Sequence, residues 1–410
     1  MKIANVLRRF AFSEWGGTET AVWNSAQVEK QMGNLPEIIS TTALCETKFE
    51  QREGIDIRRF DYFYPYLFLR NSAKKTLDKK GGNPFSFKLC QYLIKNNFDI
   101  IHSHTMGRIA KLSLKAAKIA NVPFVISFHG GCYDVPESEF EEMLKPVKYS
   151  LGYGRIIEKG LELNFDLAEH ADGIICVGKN EYNEVRKRFP KKCATVIPNG
   201  VNSQKFSKSI NADFRKAYNI PSERKLLLCV SRIDYQKNQR FLVRLAKRLL
   251  EQGEDVHVAF VGFVTSTSYY DTLVNDIKNS GFADRFTIVK GLAPDSDMLI
   301  SAYKSADIFV LPSVHEPFGI VALEAWSAGL PIMASSVGGL KDFIHNGKNG
   351  FLFASDNIDS AQRAYFETLK NGAKTAKAAL VEVAETYSWE SVAKQILNFY
   401  AEVSNDFSRR

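Results

Sequence analysis

The sequence predicts two α/β domains in tandem, each a doubly wound, mostly parallel sheet covered by helices on both faces. Three observations lead there. Short, nearly continuous apolar runs alternate with helix-period segments along the whole chain, the pattern of strands buried on both faces. The alternation restarts at Lys225 after a polar stretch, Gly200–Ser222. The length of 410 residues suits two domains of roughly 200 residues each.

In chain order, the first half offers strands at Lys2–Leu7, Leu35–Thr41, Ile55–Phe60, Asp99–His102, Pro123–Phe128, Gly173–Val177 and Thr195–Ile197. Helical segments fall between them at Glu19–Met32, Phe85–Asn96, Arg108–Ala120 and Glu181–Phe189. The second half offers strands at Lys225–Val230, His257–Val261, Phe286–Val289, Ile308–Leu311, Ile332–Ala334 and Phe351–Phe353. Its helices include Arg240–Glu251, Met298–Ser305 and Ile320–Ala328, and a last helix is expected over Tyr387–Tyr400. Open parallel sheets bind ligands beyond the C-terminal ends of their strands. With two such domains, a cleft between them is the expected site.

Composition narrows the class. Hydrophobic residues make up 45% and charged residues 24% of the chain, the balance of an ordinary globular protein. The six cysteines form no C-x-x-C pair, and most stand in apolar runs such as Ile174-Ile175-Cys176-Val177, so they read as free thiols in a reducing compartment. The apolar start, Ile3–Leu7, is short and is followed at once by Arg8 and Arg9, unlike a secretory leader. No run reaches membrane-spanning length, and a cytoplasmic protein is expected. The net charge of +8 favours anionic partners, although no nucleic-acid-binding motif accompanies it.

Four groups of residues carry chemistry. Val314-His315-Glu316-Pro317-Phe318-Gly319-Ile320 follows the strand Ile308–Leu311, with Glu324 in the helix beyond. Pro317 suits the first position of a helix, which leaves the N–H groups of Phe318, Gly319 and Ile320 free for an anion. Glu316 at the helix mouth and Glu324 two turns in reach two parts of one elongated ligand, and carboxylates accept hydrogen bonds from sugar hydroxyls. Next, Arg232 and Lys237 straddle the loop after the strand Lys225–Val230, where two cations neutralise a pyrophosphate. Third, Gly16 and Gly17 in Glu14-Trp15-Gly16-Gly17-Thr18-Glu19 follow the first strand. There glycines let the backbone approach a phosphate, although the dinucleotide fingerprint is absent. Finally, His102, His104 and His129, three of the seven histidines, sit at strand ends of the first domain. His102 reads as structural. His129, followed by Gly130-Gly131, reads as a substrate contact. No acidic or cysteine ligand lies at a matching spacing for a metal. Asp295-Ser296-Asp297 has the D-x-D form of a metal motif, but it precedes a helix, where aspartates cap and complement the dipole.

In order and spacing these motifs resemble the retaining family-4 glycosyltransferases, and the likeness spans nearly the whole chain. Glu316 and Glu324, with seven residues between them, resemble that family's E-x7-E motif. Arg232 and Lys237 resemble its donor-phosphate pair, Gly16 and Gly17 its first-strand loop, and Pro198-Asn199-Gly200-Val201 the strand end before its linker. Ser231 departs from the pattern, where a glycine is usual. The resemblance implies the GT-B fold: an acceptor-binding domain over residues 1–205, a nucleotide-sugar-binding domain over 206–385, and a helix over 386–410, led in by Ser388-Trp389-Glu390, that crosses back to the first domain. It also implies roles. Glu316 contacts the donor sugar, Glu324 the ribose, and His129 lies near the transferred sugar. The donor is a UDP- or GDP-sugar, the acceptor a glycan or a lipid-linked glycan, and no metal or other cofactor is implied. Retention by front-face substitution follows, the donor phosphate helping to deprotonate the acceptor. A nucleotide-sugar epimerase, a phosphorylase-like enzyme and a non-catalytic nucleotide-sugar-binding protein are the alternatives. The last sits poorly with intact Glu316, Glu324, Arg232 and Lys237.

One segment points to a surface. Arg58, Arg59, Arg70, Lys74, Lys75, Lys79 and Lys80 flank the aromatic block Phe60–Phe68. Aromatic rings settle at lipid headgroup level and lysines are drawn to anionic lipid. The expectation is peripheral contact with an anionic membrane through Arg58–Lys80. The competing reading makes the rings core and the lysines a solvated face.

Overall fold

The computed structural model describes residues 1–13, 16–130, 147–148 and 150–409. Glu14 and Trp15 of the first-strand motif, Gly131, Cys132 and the side chain of Lys80 lie outside the described residues. The chain divides into two compact units, Met1–Pro198 with Val392–Arg410, and Asn199–Ser391. Gly200–Ser222, read from its polarity as the junction, belongs wholly to the second unit. It folds there because Phe206 and Phe214 find apolar cover in a 3₁₀ turn, Ser203–Ser207, and a short helix, Phe214–Ala217.

In the first unit the strands are β1 (Lys2–Arg9), β2 (Leu35–Thr41), β3 (Phe49–Arg52), β4 (Ile55–Phe60), β5 (Tyr66–Leu67), β6 (Ile100–Ser103), β7 (Phe124–Phe128), β8 (Leu151–Gly152), β9 (Gly173–Cys176) and β10 (Ala194–Val196). Eight of them form one sheet in the order β10-β9-β7-β6-β1-β2-β4-β3. All neighbours run parallel except β3, which pairs antiparallel with β4. Strands β6, β7 and β9 are buried at every position, as their unbroken apolar runs require. From β1 the chain winds outward through β2 and β4 to one side, and through β6, β7, β9 and β10 to the other. The order therefore reverses between β1 and β6, and the crevice at such a reversal is where open sheets bind ligands. From Val392 on, the last helix, Trp389–Ser408, packs on this unit. A Cβ on Gly173 would come within 2.6 Å of Val403 and 2.9 Å of Phe399, so the bare glycine is what admits the helix.

The second unit holds β11 (Lys225–Val230), β12 (Val256–Val261), β13 (Phe286–Val289), β14 (Ile308–Leu311), β15 (Ile332–Ser335) and β16 (Phe351–Phe353). They form a parallel sheet in the order β13-β12-β11-β14-β15-β16. Here the order reverses between β11 and β14. The two motifs with Arg232–Lys237 and Glu316 follow those two strands. The helices Thr267–Asn279 and Ile358–Glu382 have no counterpart among the elements read from the sequence. The long one covers β15 and β16 through Ala361, Ala364 and Tyr365, which join the core.

Candidate functional site

The loops after β11 and β14 are zipped together in the second unit. The Val314 N–H donates to the Gln236 carbonyl at 2.9 Å, and the Gln236 side chain donates to the His315 carbonyl at 3.2 Å. This lays Lys237 against Glu316. Lys237 Nζ and Glu316 Oε2 are 2.6 Å apart, and both side chains are nearly buried. Ser313 Oγ donates to the same oxygen at 3.2 Å. Arg232 stays half exposed, with Nη1 3.4 Å from Asp234 Oδ2 and Nη2 donating to Gln236 Oε1 at 2.7 Å. Asp234 also accepts the Lys237 N–H at 3.2 Å and the Thr265 hydroxyl at 2.9 Å, so one carboxylate sets the shape of the cationic loop. Burial pushes the Cys229 thiol beneath it up to about 12, which disqualifies it as a nucleophile.

Beyond Glu316 the helix runs Ile320–Ser327, starting where the expected range Ile320–Ala328 put it, with Gly319 as its N-cap at φ +96°. Pro317 is therefore not its first residue. The cause is Gly339, whose N–H takes the Glu316 carbonyl at 2.8 Å and so removes the acceptor that a helix begun at Pro317 would use for Ile320. The N–H groups of Phe318, Gly319 and Ile320 find no acceptor among the described residues. Gly338 supports the arrangement from below. At φ +48°, a Cβ there would meet the Glu316 carbonyl oxygen at 2.1 Å.

Glu324 lies apart from Glu316 and has its own partners. Lys205 Nζ is 2.5 Å from its Oε1 and the Tyr303 hydroxyl donates to its Oε2 at 2.9 Å. Burial, with Glu324 adding to it, pushes the Tyr303 phenol well up from its ordinary range. Sequence reading missed Lys205 and Tyr303. The nearest signal was Phe206, whose ring sits edge-on to Tyr303 at 5.4 Å. In Asp295-Ser296-Asp297 the cap is Ser296, whose Oγ accepts the Leu299 N–H at 3.3 Å, while Asp297 is the first helical residue. Among the described residues no group of three or more His, Cys, Asp or Glu is placed to hold a metal ion.

The remaining residues named from the sequence lie in the first unit. Gly16 is the N-cap of the helix Gly17–Gln31. His129 follows β7, and its Nε2 is 3.1 Å from His104 Nδ1. His104 Nε2 in turn lies 3.0 Å from Asn5 Oδ1. His102, read as structural, is buried and held at Nδ1 by the Tyr400 hydroxyl at 2.6 Å and at Nε2 by Ser127 Oγ at 2.7 Å. Burial depresses all three histidines, His129 to about 4 and the other two well below the usual imidazole range.

The basic aromatic segment splits in two. Arg58 is paired with Glu37 at 2.5 Å and Asp56 at 3.1 Å. Arg59 is buried and bonded to the Phe10 and Thr47 carbonyls and to Glu50. Tyr62 and Tyr64 both donate to Asp78, at 2.7 and 2.9 Å, and Phe63 stacks on Phe85 at 5.6 Å. Arg59 and Tyr64 are buried and Arg58, Tyr62 and Phe63 half-buried against these partners, which corrects the first part of the expected surface. Leu67 and Phe68 are exposed, Phe68 at 91%, as are Leu151 and Ile156. Arg70, Lys74, Lys75 and Lys79 are exposed beside them. Among the described residues no helix is long and apolar enough to cross a membrane.

Comparison with known proteins agrees with this architecture. Residues 210–396 match the family of glycosyl transferases group 1, and residues 15–205 match glycosyltransferase family 4. An uncharacterized glycosyltransferase of Methanocaldococcus jannaschii is 30% identical over 328 residues, 74% of this chain and 75% of its own. A glycosyltransferase of Rickettsia africae superposes with a TM-score of 0.74 at 21% identity, covering 98% of both chains. The Anabaena protein HepE, solved in complex with UDP-glucose, superposes with a TM-score of 0.71 at 16% identity over 98% of this chain and 100% of its own. With both halves matched and a relative of this identity over three quarters of its length, the chain belongs to glycosyltransferase family 4: it is a glycosyltransferase of GT-B fold.

Proposed function

We propose that this glycosyltransferase moves a sugar, with retention, from a UDP- or GDP-sugar to a glycan or lipid-linked acceptor in the synthesis of cell-surface polysaccharide, lipopolysaccharide or glycolipid. The observation that carries the reading is the Lys237–Glu316 pair beside Arg232, set where the sheet order of the second unit reverses. A departing nucleoside diphosphate gains negative charge. Arg232, Lys237 and the N–H groups of Phe318, Gly319 and Ile320 meet it with fixed positive charge and oriented dipoles. Glu316 accepts from hydroxyls of the donor sugar and Glu324 from the ribose. Residues 206–385 are then the donor-binding domain and residues 1–205 the acceptor-binding domain, with Gly16 and Gly17 proposed to meet the donor phosphate and His129 the transferred sugar. The HepE complex with UDP-glucose supports a uridine donor.

With that charge supplied by protein groups, no metal cofactor is needed. The test is a panel of UDP- and GDP-sugars, with nucleoside diphosphate release followed with and without acceptor, and with and without EDTA. Acceptor-dependent release that survives EDTA is expected. Interconversion of the sugar with no release points to an epimerase, and an absolute need for Mg²⁺ or Mn²⁺ brings Asp295 and Asp297 back.

The acceptor side is proposed to work at an anionic membrane, at the inner face of the plasma membrane. The support is Leu67, Phe68, Leu151 and Ile156, exposed next to Arg70, Lys74, Lys75 and Lys79. Apolar tips insert at headgroup depth and each cation adds about 1 kcal/mol near anionic lipid. Binding to liposomes with anionic lipid should exceed binding to neutral ones and fall with salt. Replacing Lys74, Lys75 and Lys79 by Glu should abolish it and leave donor hydrolysis intact. A wild type indifferent to anionic liposomes at low salt ends the idea.

A further inference from the structure

We propose that Glu29, Asn5 and His104 form a polar chain that fixes His129 in one tautomer, proton on Nε2 and Nδ1 bare. His129 then serves as a hydrogen-bond acceptor for a hydroxyl of the sugar or the acceptor. The inference rests on the reading above for the identity of that hydroxyl, and on the hydrogen-bond geometry with an ionised Glu29 for the tautomer.

Glu29 is fully enclosed in the helix Gly17–Gln31, facing β1. Its Oε1 accepts from Ser25 Oγ at 3.0 Å and its Oε2 from Asn5 Nδ2 at 3.4 Å. Burial raises the Glu29 carboxyl to about 7; above that pH it is ionised and only accepts, so the amide of Asn5 must present its NH₂ to Glu29. The carbonyl of Asn5 then faces the other way, 3.0 Å from His104 Nε2. A carbonyl also only accepts, which places the proton of His104 on Nε2 and leaves its Nδ1 bare. That bare nitrogen is 3.1 Å from His129 Nε2, which must donate to it. His129 therefore has its proton on Nε2, and no described residue bonds its Nδ1.

Two features make the chain one-directional. Burial keeps all three histidines neutral, and a cationic His104 would present a second N–H to His129. His102 lies against His104 with ring centroids 3.8 Å apart and the planes tilted by 42°, but its own nitrogens are taken by Tyr400 and Ser127, so it limits the movement of the His104 ring and offers no competing bond. Asn5 and His104 lie on and just beyond β1 and β6, the two strands flanking the reversal of the first sheet. His129 ends the adjacent strand β7, at the ligand edge. Glu29, Asn5 and His104 are thus positioning residues that act through His129.

The test is long-range ¹⁵N–¹H correlation on histidine-labelled protein at pH 8, with His129 identified by its loss in His129→Asn. Wild type is expected to show His104 and His129 protonated at Nε2. A His129 protonated at Nδ1, or an even mixture, overturns the inference without any variant. In Glu29→Leu nothing accepts from the Asn5 amide, Asn5 is free to turn over, and each histidine shows both tautomers. Unchanged circular dichroism certifies the fold. A folded Glu29→Leu in which both histidines keep the single wild-type tautomer also overturns the inference. On the donor found by the panel, Glu29→Leu should lower kcat about twofold or more, because part of the population presents an N–H where the hydroxyl needs an acceptor, with little change in donor KM. Unchanged kcat in a variant whose tautomers have mixed removes His129 as the group that reads the hydroxyl. The spectra need no donor, so a wrong tautomer and a failed panel are separate outcomes.

Discussion

Lys237→Ala is expected to lower donor turnover at least about a hundredfold and to destabilise the second unit by about 3–5 kcal/mol. The stability loss follows from the pair itself. Lys237 and Glu316 are both nearly buried and 2.6 Å apart, so removing the lysine leaves an enclosed carboxylate with the Ser313 hydroxyl as its remaining side-chain partner. Removing one member of a buried pair costs far more than the pair contributes. The turnover loss is separate, because the same ammonium is proposed to meet the leaving diphosphate. The double variant Lys237→Ala/Glu316→Ala divides the two effects. It should regain most of the stability in urea unfolding and none of the turnover. A single variant as stable as wild type, or one that turns over normally at saturating donor, refutes the assignment.

Unfolding at pH 5 is expected to need clearly less urea than at pH 7.5, in both units. His129 is moved from its ordinary 6.5 to about 4, and His257 in the second unit likewise to about 4. A histidine depressed in the folded state contributes stability that is complete above pH 6.5 and lost as pH falls towards 4. For a fully developed shift of this size that amounts to about 3 kcal/mol. Glu29 works the other way. Burial raises its carboxyl from 4.5 to about 7, so its contribution is complete below pH 4.5 and lost as pH rises through 7. Glu29 and His129 roughly offset each other. His102 and His104, both depressed, tip the first unit towards acid lability, and His257, whose Nδ1 is buried without a partner, does the same for the second. Equal or greater stability at pH 5 means that these imidazoles are solvated.

The sequence by itself determined the two parallel sheets and the places where the motifs leave them. Strands such as Phe124–Phe128 and Ile308–Leu311 are buried on both faces, and nothing but a continuous apolar run satisfies that condition. Arg232, Lys237, Glu316 and Gly16 were legible for a related reason: each stands a fixed few residues past a strand end, so local spacing places it at the ligand edge. What each of them touches was decided only by tertiary structure. Lys205 meets Glu324 across 119 positions and Asn5 meets His104 across 99, and no periodicity within one element encodes pairings between elements. That Pro317 stays outside the helix begun at Ile320 was set by Gly339, from the loop after a different strand. The block from Arg58 to Phe68 makes the same point most plainly. Aromatic rings and arginines have identical sequence signatures in a core and on a membrane-facing surface. It took the seating of Asp78 against Tyr62 and Tyr64, and of Glu50 against Arg59, to tie these side chains to the core and leave Leu67 and Phe68 outside.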